Sequence, residues 1–368
     1  MSLRILIAGG GTGGHIYPAL SIAEELKRRD QKNEILFIGT IQGVARSTIE
    51  EAGFGVSPIE TSGWERRLSR KTLRFFISLL KGIFQSRRCI LSFKPDVIIG
   101  MGGYSSGPPL ILASLLGYKA MIHEQNSIPG LTNKVLGRLV KKIALSFEDC
   151  DHYFPSEKIV VTGNPVRTEI GKIARKEALV HFGFEDERST IIVFGGSRGA
   201  HTINLATVEA FERLNRIKDR IQMIHISGKD DYLWVKERMK RVEFPFYLAE
   251  FIFEMPLALG AADIVVGRAG AGTIAEITQC GLPSILIPYP YATDDHQKKN
   301  ASLLEEKGAA IVIVDRELNG EILAERLIEL ISDPERLREM GKRARSLSHP
   351  EATLRIIDLI YELVEAKG

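Results

Sequence analysis

The sequence predicts an α/β protein made of two Rossmann-like domains, each built on a parallel sheet. Three observations lead there. At 368 residues the chain is too long for one ordinary core, which favours two domains. Short apolar runs alternate with stretches of helical periodicity, the order that gives a parallel sheet with helices on both faces. The alternation then restarts midway with the same strand, glycine turn and helix that open the chain.

The first strand is expected over Ile5–Ala8. It runs into Gly9-Gly10-Gly11-Thr12-Gly13-Gly14, five glycines in six positions, which lets the backbone turn tightly and approach a ligand closely. A helix is predicted over Pro18–Arg29, with Leu20, Ala23, Leu26 and Lys27 at helical spacing. Free N–H groups at such a helix start form an anion site. Ile35–Gly39 reads as a strand, and Val44–Ala52 as a helix stopped by Gly53. Val97–Gly100 is a strand after Pro95-Asp96, Pro108–Leu116 a helix, and Ala120–His123 another strand. Ligands sit outside the carboxyl ends of strands in such sheets. Here those ends carry Gly9–Gly14, Gly100–Gly107 and His123-Glu124-Gln125-Asn126.

The second series begins with a strand over Ile191–Phe194 feeding Gly195-Gly196-Ser197-Arg198-Gly199-Ala200. That turn repeats the order glycine, glycine, hydroxyl residue, any residue, glycine of residues 10–14. Strands are predicted at Met223–Ser227, Ile264–Val266, Ser284–Ile287 and Ile311–Val314. The turn residues of Val161–Arg167 mark the boundary, giving domains over 1–163 and 164–345. Residues 346–368 hold a final amphipathic helix, Glu351–Val364, whose packing side the periodicity leaves open.

Composition narrows the class. A content of 44% hydrophobic and 26% charged residues is that of a globular protein, neither disordered nor fibrous. A net charge of +3 gives no argument for nucleic acid. Three cysteines, Cys89, Cys150 and Cys280, are odd in number and far apart. They suit a reducing compartment and neither a disulfide framework nor a metal site. The first apolar strand is too short for a signal sequence, and no uninterrupted apolar run reaches the ~18 residues of a membrane span.

Two glycine-turn domains suit either a dinucleotide or a nucleotide-sugar enzyme. Gly9-x-Gly11-x-x-Gly14 has dinucleotide spacing, which also needs an acidic residue about twenty positions on to hold the ribose. Gly39-Thr40-Ile41-Gln42 stands there instead, so the nucleotide-sugar reading is favoured. A third turn, Gly267–Glu276, follows the strand Ile264–Val266. Its N–H groups near Ala271–Thr273 suit phosphate. Glu276, one turn into the helix, suits either sugar hydroxyls or the helix dipole. The loop Pro288–Gln297 brings Asp294, Asp295, His296 and Gln297 to the same edge. No third ligand accompanies the two aspartates, so no metal is expected.

Six motifs occur in order: Gly10–His15, Gly102-Gly103-Tyr104, His123–Asn126, Gly163-Asn164-Pro165-Val166-Arg167, Gly195-Gly196-Ser197 and Gly270–Glu276. Together they resemble the MurG family of bacterial N-acetylglucosaminyltransferases across essentially the whole chain. The resemblance implies a GT-B fold, two Rossmann-like parallel-sheet domains facing across a cleft. It implies transfer of GlcNAc from UDP-GlcNAc to undecaprenyl-pyrophosphoryl-MurNAc-pentapeptide (lipid I), giving lipid II through a β1→4 bond formed with inversion. No cofactor is implied; other cell-wall synthesis proteins are implied as partners. Thr12, Gly13, Gly14 and Asn126 would face the donor from the N-terminal domain. Arg167, Ser197, Ile252, Ala271, Gly272, Thr273, Ile274, Ala275, Glu276, His296 and Gln297 would complete its pocket, with Glu276 on the ribose. The family often has a larger apolar residue where Gly272 stands, so only backbone contact is implied there.

Inverting transfer needs a base for the acceptor hydroxyl and a positive environment for departing UDP. His15 is the leading base, since imidazole titrates near working pH; orienting the loop or binding acceptor diphosphate is its other reading. Glu124 and His123 are alternatives. Helix N-termini and Arg167 would stabilise the leaving group.

Residues 64–88 carry apolar side chains over a wide arc with basic residues at both ends. Leu73, Phe76, Ile77, Leu80 and Phe84 share one helical face that suits the core; Phe75, Leu79 and Ile83 lie on another. Such a helix suits an anionic lipid surface. Peripheral attachment to the cytoplasmic face of the cell membrane through Leu73, Phe75, Phe76, Leu79, Leu80, Ile83 and Phe84 is therefore expected. Competing expectations are another GT-B-like UDP-sugar enzyme, such as a UDP-GlcNAc 2-epimerase or lipid galactosyltransferase, and a non-catalytic nucleotide-sugar-binding subunit.

Overall fold

Strands without a polar face must be covered on both sides, and this sequence supplies several: Ile5–Ala8, Val97–Gly100, Ile191–Phe194 and Ile264–Gly267 are wholly buried. The computed structural model describes residues 2–10, 13–61, 70–196 and 199–366, the side chains of residues 44 and 70–76 excepted. The chain divides into two units, Met1–Arg167 with His349–Gly368, and Thr168–Ser348.

The first unit holds seven strands: β1 (Arg4–Ala8), β2 (Glu34–Gly39), β3 (Gly55–Pro58), β4 (Val97–Gly100), β5 (Lys119–Glu124), β6 (Lys142–Leu145) and β7 (Ile159–Val161). They lie in the order β3-β2-β1-β4-β5-β6-β7, every pair parallel. The second unit holds β8 (Ser189–Phe194), β9 (Ile221–Ile226), β10 (Phe246–Ala249), β11 (Ile264–Gly267), β12 (Ser284–Leu286) and β13 (Ala310–Val312). Their order is β10-β9-β8-β11-β12-β13, again all parallel. Both sheets are thus Rossmann-like, with the strand order reversing between β1 and β4 and between β8 and β11.

One face of the first sheet is closed by helices Gly13–Arg29 and Ala352–Glu365. Ile22 and Leu26 from the former, and Ile356, Ile360 and Leu363 from the latter, share an apolar cluster with Ile5, Ile7 and Phe37. The last helix therefore packs on the first unit, pinned by Arg29 to Asp358 at 2.9 Å and by Lys119 Nζ to the carbonyl of Val364 at 2.7 Å. Leu6, Ile90, Ile98 and Leu110 fill the opposite face. In the second unit, helices His201–Leu214 and Gly320–Ser332 cover Ile191, Val193, Ile264 and Ile285.

The first helix starts at Gly13, not at Pro18 as the sequence suggests. Proline there lacks only the N–H that would bond the Gly14 carbonyl, and its fixed φ is helical, so it is tolerated near a helix start. His15 consequently stands in the first turn of the helix. Four strands escape sequence reading, β3, β6, β7 and β10. All are three or four residues long, and β3, β7 and β10 have no fully buried residue to mark them.

Asn33 ties the first helix to the sheet. Wholly buried, it accepts from the Leu3 N–H at 2.8 Å and donates to the Leu26 carbonyl at 2.7 Å. Asn33→Ala leaves both backbone groups buried without that partner and should lower unfolding free energy by about 2–3 kcal/mol. Urea denaturation of the two proteins measures it.

Candidate active site

The site in the first unit forms where its strand order reverses. His15, half-buried, lies against the turn that leaves β4. A Cβ built on Gly102 would stand 3.3 Å from His15 Nε2 and 3.5 Å from Asn133 Nδ2. With φ of +86° at Gly102 and +75° at Gly103, the turn needs glycine both for its conformation and for the ring above it. Gly13 and Gly14 precede His15 in the same helical turn, whose first N–H groups have no partner within the helix. Thr12 lies outside the described residues.

The end of β5 supplies buried polar groups. Glu124 accepts from the Asn126 N–H at 2.9 Å and from Asn133 Nδ2 at 2.8 Å. Burial pushes its carboxyl group up, against these donors. Asn133 also donates to the His123 carbonyl at 3.3 Å. Glu124 is therefore engaged in shaping the segment 124–133, and Asn126 is held beside it. His123 is wholly buried and faces the Gly163 carbonyl through Nε2 at 3.2 Å. A carbonyl only accepts, so Nε2 carries the proton. Burial holds the His123 pKa down at about 4. The Arg167 guanidinium stacks over the Tyr17 ring, 5.1 Å from its centre, next to the helix that carries His15.

In the second unit two turns leave β8 and β11, again at the reversal. The β8 turn is fixed at Gly199, φ +77°, where a Cβ would stand 2.2 Å from the Ser227 carbonyl oxygen; Ser197 lies outside the described residues. The β11 turn leads to helix Ala271–Cys280, whose N-cap Gly270 is extended. Its first helical bond runs from the Ile274 N–H to the Gly270 carbonyl, 2.9 Å. The N–H groups of Ala271, Gly272 and Thr273 therefore have no intrahelical partner. No acidic residue sits in that first turn. Glu276 is half-buried on the same helix, Ala275 likewise, and Ile274 is buried. A Cβ on Gly272 would meet nothing within 4 Å. Ile252 is buried, and its chain neighbours Phe251 and Phe253 meet edge to face with ring centres 4.9 Å apart.

The loop after β12 is latched by Gln297, whose Oε1 accepts from the Tyr289 N–H at 2.9 Å. His296 Nδ1 meets the Thr293 carbonyl at 2.7 Å. Asp294 and Asp295 both have left-handed backbones, conformations that cost energy in non-glycine residues and cluster at functional sites. Asn300, wholly buried, donates to the Ala269 carbonyl at 3.3 Å and braces the β11 turn. Sequence reading overlooks Asn133 and Asn300; the available signal is an asparagine on an otherwise apolar helix face. Among the described residues no group of three or more histidines, cysteines or acids could hold a metal.

The helix Arg70–Phe93 presents Ile77, Leu80 and Phe84 to solvent, at 48%, 58% and 72% exposure. This is the face that the sequence suits to the core. Leu79 and Ile83 are half-buried instead, and the side chains of Leu73, Phe75 and Phe76 lie outside the described residues. No helix of the described residues is long and apolar enough to cross a membrane.

Comparison with known proteins decides the family. The profile of the glycosyltransferase family 28 N-terminal domain matches residues 5–145, and that of its C-terminal domain matches residues 190–356. The UDP-N-acetylglucosamine–N-acetylmuramyl-(pentapeptide) pyrophosphoryl-undecaprenol N-acetylglucosamine transferase of Bacillus subtilis (strain 168) is 42% identical over 98% of this chain and 99% of its own. The chain belongs to the MurG family of glycosyltransferase family 28. Among solved structures, Acinetobacter baumannii MurG shares 27% identity with a TM-score of 0.77, covering 98% of this chain and all of that one. A putative UDP-N-acetylglucosamine 2-epimerase from Listeria monocytogenes has a TM-score of 0.72, over all of this chain and 98% of that one, at 13% identity. That likeness is one of fold alone. The α/β architecture with two Rossmann-like units is thus the GT-B architecture of the MurG family.

The buried histidines of this family 28 chain make its stability depend on pH. An unfolded His123 binds a proton below about pH 6.5, whereas the folded one stays neutral down to about 4. Between those values the unfolded state holds more protons, so stability rises with pH through the window. It is complete above pH 6.5 and lost as pH falls toward 4, by on the order of 3 kcal/mol for this group. His225, likewise held by burial at about 3, acts in the same direction. Urea midpoints measured from pH 7 to 4.5 should fall steadily, and His123→Gln should flatten the slope.

Proposed function

We propose that this chain transfers GlcNAc from UDP-GlcNAc to undecaprenyl-pyrophosphoryl-MurNAc-pentapeptide, forming a β1→4 bond with inversion to give lipid II. The observation that carries the reading is the 42% identity, over nearly the full length of both chains, with a transferase named for that donor and acceptor. Two strand-order reversals, each presenting a helix start with unbonded N–H groups, suit a reaction between two diphosphate-bearing substrates.

In this reading the second unit holds the donor. The N–H groups of Ala271, Gly272 and Thr273 and the turn at Ser197 take the diphosphate, and Glu276 takes the ribose hydroxyls. Ile252 contributes backbone groups only. Gln297 and His296 close the pocket from the β12 loop, and Ile274 and Ala275 complete the helix that lines it. The first unit, through Thr12, Gly13, Gly14 and Asn126, serves the reacting sugar and the acceptor diphosphate, and Arg167 adds positive charge for the leaving group. The acceptor hydroxyl oxygen attacks the anomeric carbon while the bond to the β-phosphate oxygen breaks. The departing UDP keeps that electron pair, and the hydroxyl proton passes to a base. His15 is the base we assign, supported by its place in a helical first turn against Gly102 and Gly103. Glu124, saturated with donors from Asn126 and Asn133, acts as a positioning residue for that wall of the site.

We further assign the membrane-facing surface to helix Arg70–Phe93, at the cytoplasmic face. Exposed Ile77, Leu80 and Phe84 lie on it, and exposed Arg87 and Arg88 stand close by, a pairing suited to anionic lipid. Vesicle flotation should recover more of the protein with anionic than with neutral vesicles, and Phe84→Ser should reduce that recovery. Equal recovery from both vesicle types would contradict the assignment.

Incubation of the protein with UDP-GlcNAc and the lipid acceptor tests the reaction. Release of UDP together with a disaccharide-lipid supports it; epimerised donor without acceptor, or binding without turnover, overturns it. In the same assay His15→Ala should lower kcat by about 10²–10⁴-fold with donor KM little changed. Unchanged kcat would remove His15 from proton transfer.

A further inference from the structure

We infer that Arg268 is the positioning residue of the donor site, holding in one arrangement the three segments that present donor-binding groups in the second unit. This inference rests on the donor assignment above. Arg268 follows β11 directly, at the reversal of strand order, and is 9% exposed. One terminal nitrogen, Nη1, donates to the carbonyls of Ile287 at 3.1 Å and Pro288 at 3.3 Å, and to the Asp315 carboxylate. The other, Nη2, donates to Thr202 Oγ1 at 3.0 Å. Thr202 in turn donates to Asp315 Oδ1 at 2.8 Å. The guanidinium also lies 5.5 Å from the centre of the Tyr289 ring.

Each partner belongs to a different part of the site. Thr202 is the second residue of helix His201–Leu214, which follows the β8 turn. Ile287, Pro288 and Tyr289 open the loop that Gln297 latches by accepting from the Tyr289 N–H. Arg268 itself stands two residues before Gly270, the cap of helix Ala271–Cys280. Asp315 comes from beyond β13 and supplies the countercharge. A planar fork of N–H donors reaches all of these acceptors at once; an ammonium group, with three donors on one nitrogen, does not.

Stability alone does not account for such a group. A buried ion pair is often no more stabilising than apolar residues of the same volume, and its best-attested use is to fix one arrangement among several. Here the arrangement fixed is the spacing of the Ala271–Thr273 N–H groups, the β8 turn and the Gln297 loop. Arg268 acts on the donor through them.

The test uses the full chain in steady state, with UDP-GlcNAc varied at saturating acceptor and acceptor varied at saturating donor. Calorimetric UDP binding and thermal melting accompany it. Arg268→Lys keeps the charge opposite Asp315 and loses the fork. It should melt within a few degrees of wild type while donor KM and UDP Kd rise by about tenfold or more, with acceptor KM unchanged. Thr202→Val removes both hydrogen bonds of the Thr202 hydroxyl, from Arg268 and to Asp315, and should raise donor KM alone by about threefold; it decides the matter if the lysine variant does not fold. Donor KM and UDP Kd at wild-type values in a folded variant would overturn the inference. So would donor and acceptor KM rising together, or a fall in kcat with melting temperature at constant donor KM. A wild-type protein that makes no disaccharide-lipid sinks the proposed function instead.

Discussion

A parallel sheet sends every strand's carboxyl end to one edge, and a reversal of strand order opens a gap at that edge between neighbouring helices. Each unit's candidate site depends on that constraint. Between β1 and β4 the gap holds His15 over Gly102 and Gly103. Between β8 and β11 it holds the Gly199 turn and the start of helix Ala271–Cys280. Each gap exposes backbone N–H groups that no helical carbonyl can reach, so the fold itself supplies anion sites before any side chain contributes.

Side chains then fix those backbones. The first unit does so with His123, kept neutral by burial, and with Glu124, wrapped by Asn126 and Asn133. The second uses a full charge, Arg268, balanced by Asp315 and spread over carbonyls and a hydroxyl. The two solutions differ because the distances differ. Glu124 needs to hold only residues 126–133, a short segment, whereas Arg268 joins segments that lie between about residues 200 and 315 in the chain. A long, forked donor spans what an amide cannot.

How much of this could be read in the sequence follows from the same physics. β1, β4, β8 and β11 are covered on both faces, so their apolar runs are continuous and their positions are plain. β3, β7 and β10 lie at sheet edges and have no fully buried residue, so nothing in periodicity separates them from loops. Pro18 hides the true start of the first helix, since proline normally marks a boundary and here sits inside the second turn. Burial of Ile77, Leu80 and Phe84 is the ordinary expectation for an amphipathic stripe, yet they face solvent. The glycine turns, His15 and Glu276 were recognisable because their chemistry is local. Asn300 and Arg268 were not, because their importance lies in partners far along the chain, and Asn133, whose partners Glu124 and the His123 carbonyl are near in sequence, is signalled only by an asparagine on an apolar helix face. Arg268 stands in the open within Gly-Arg-Ala-Gly-Ala-Gly, but only Thr202, Pro288 and Asp315 give it a purpose.

The central claim is that the second unit's two turns hold the uridine diphosphate while the first unit's turn serves the acceptor. Amide hydrogen exchange of the full chain, with and without saturating UDP, tests it most directly. The account predicts slower exchange over residues 199–204 and 270–276, with residues 102–107 little changed. Protection confined to residues 13–15 and 102–107, with the second unit's turns unaltered, would contradict it.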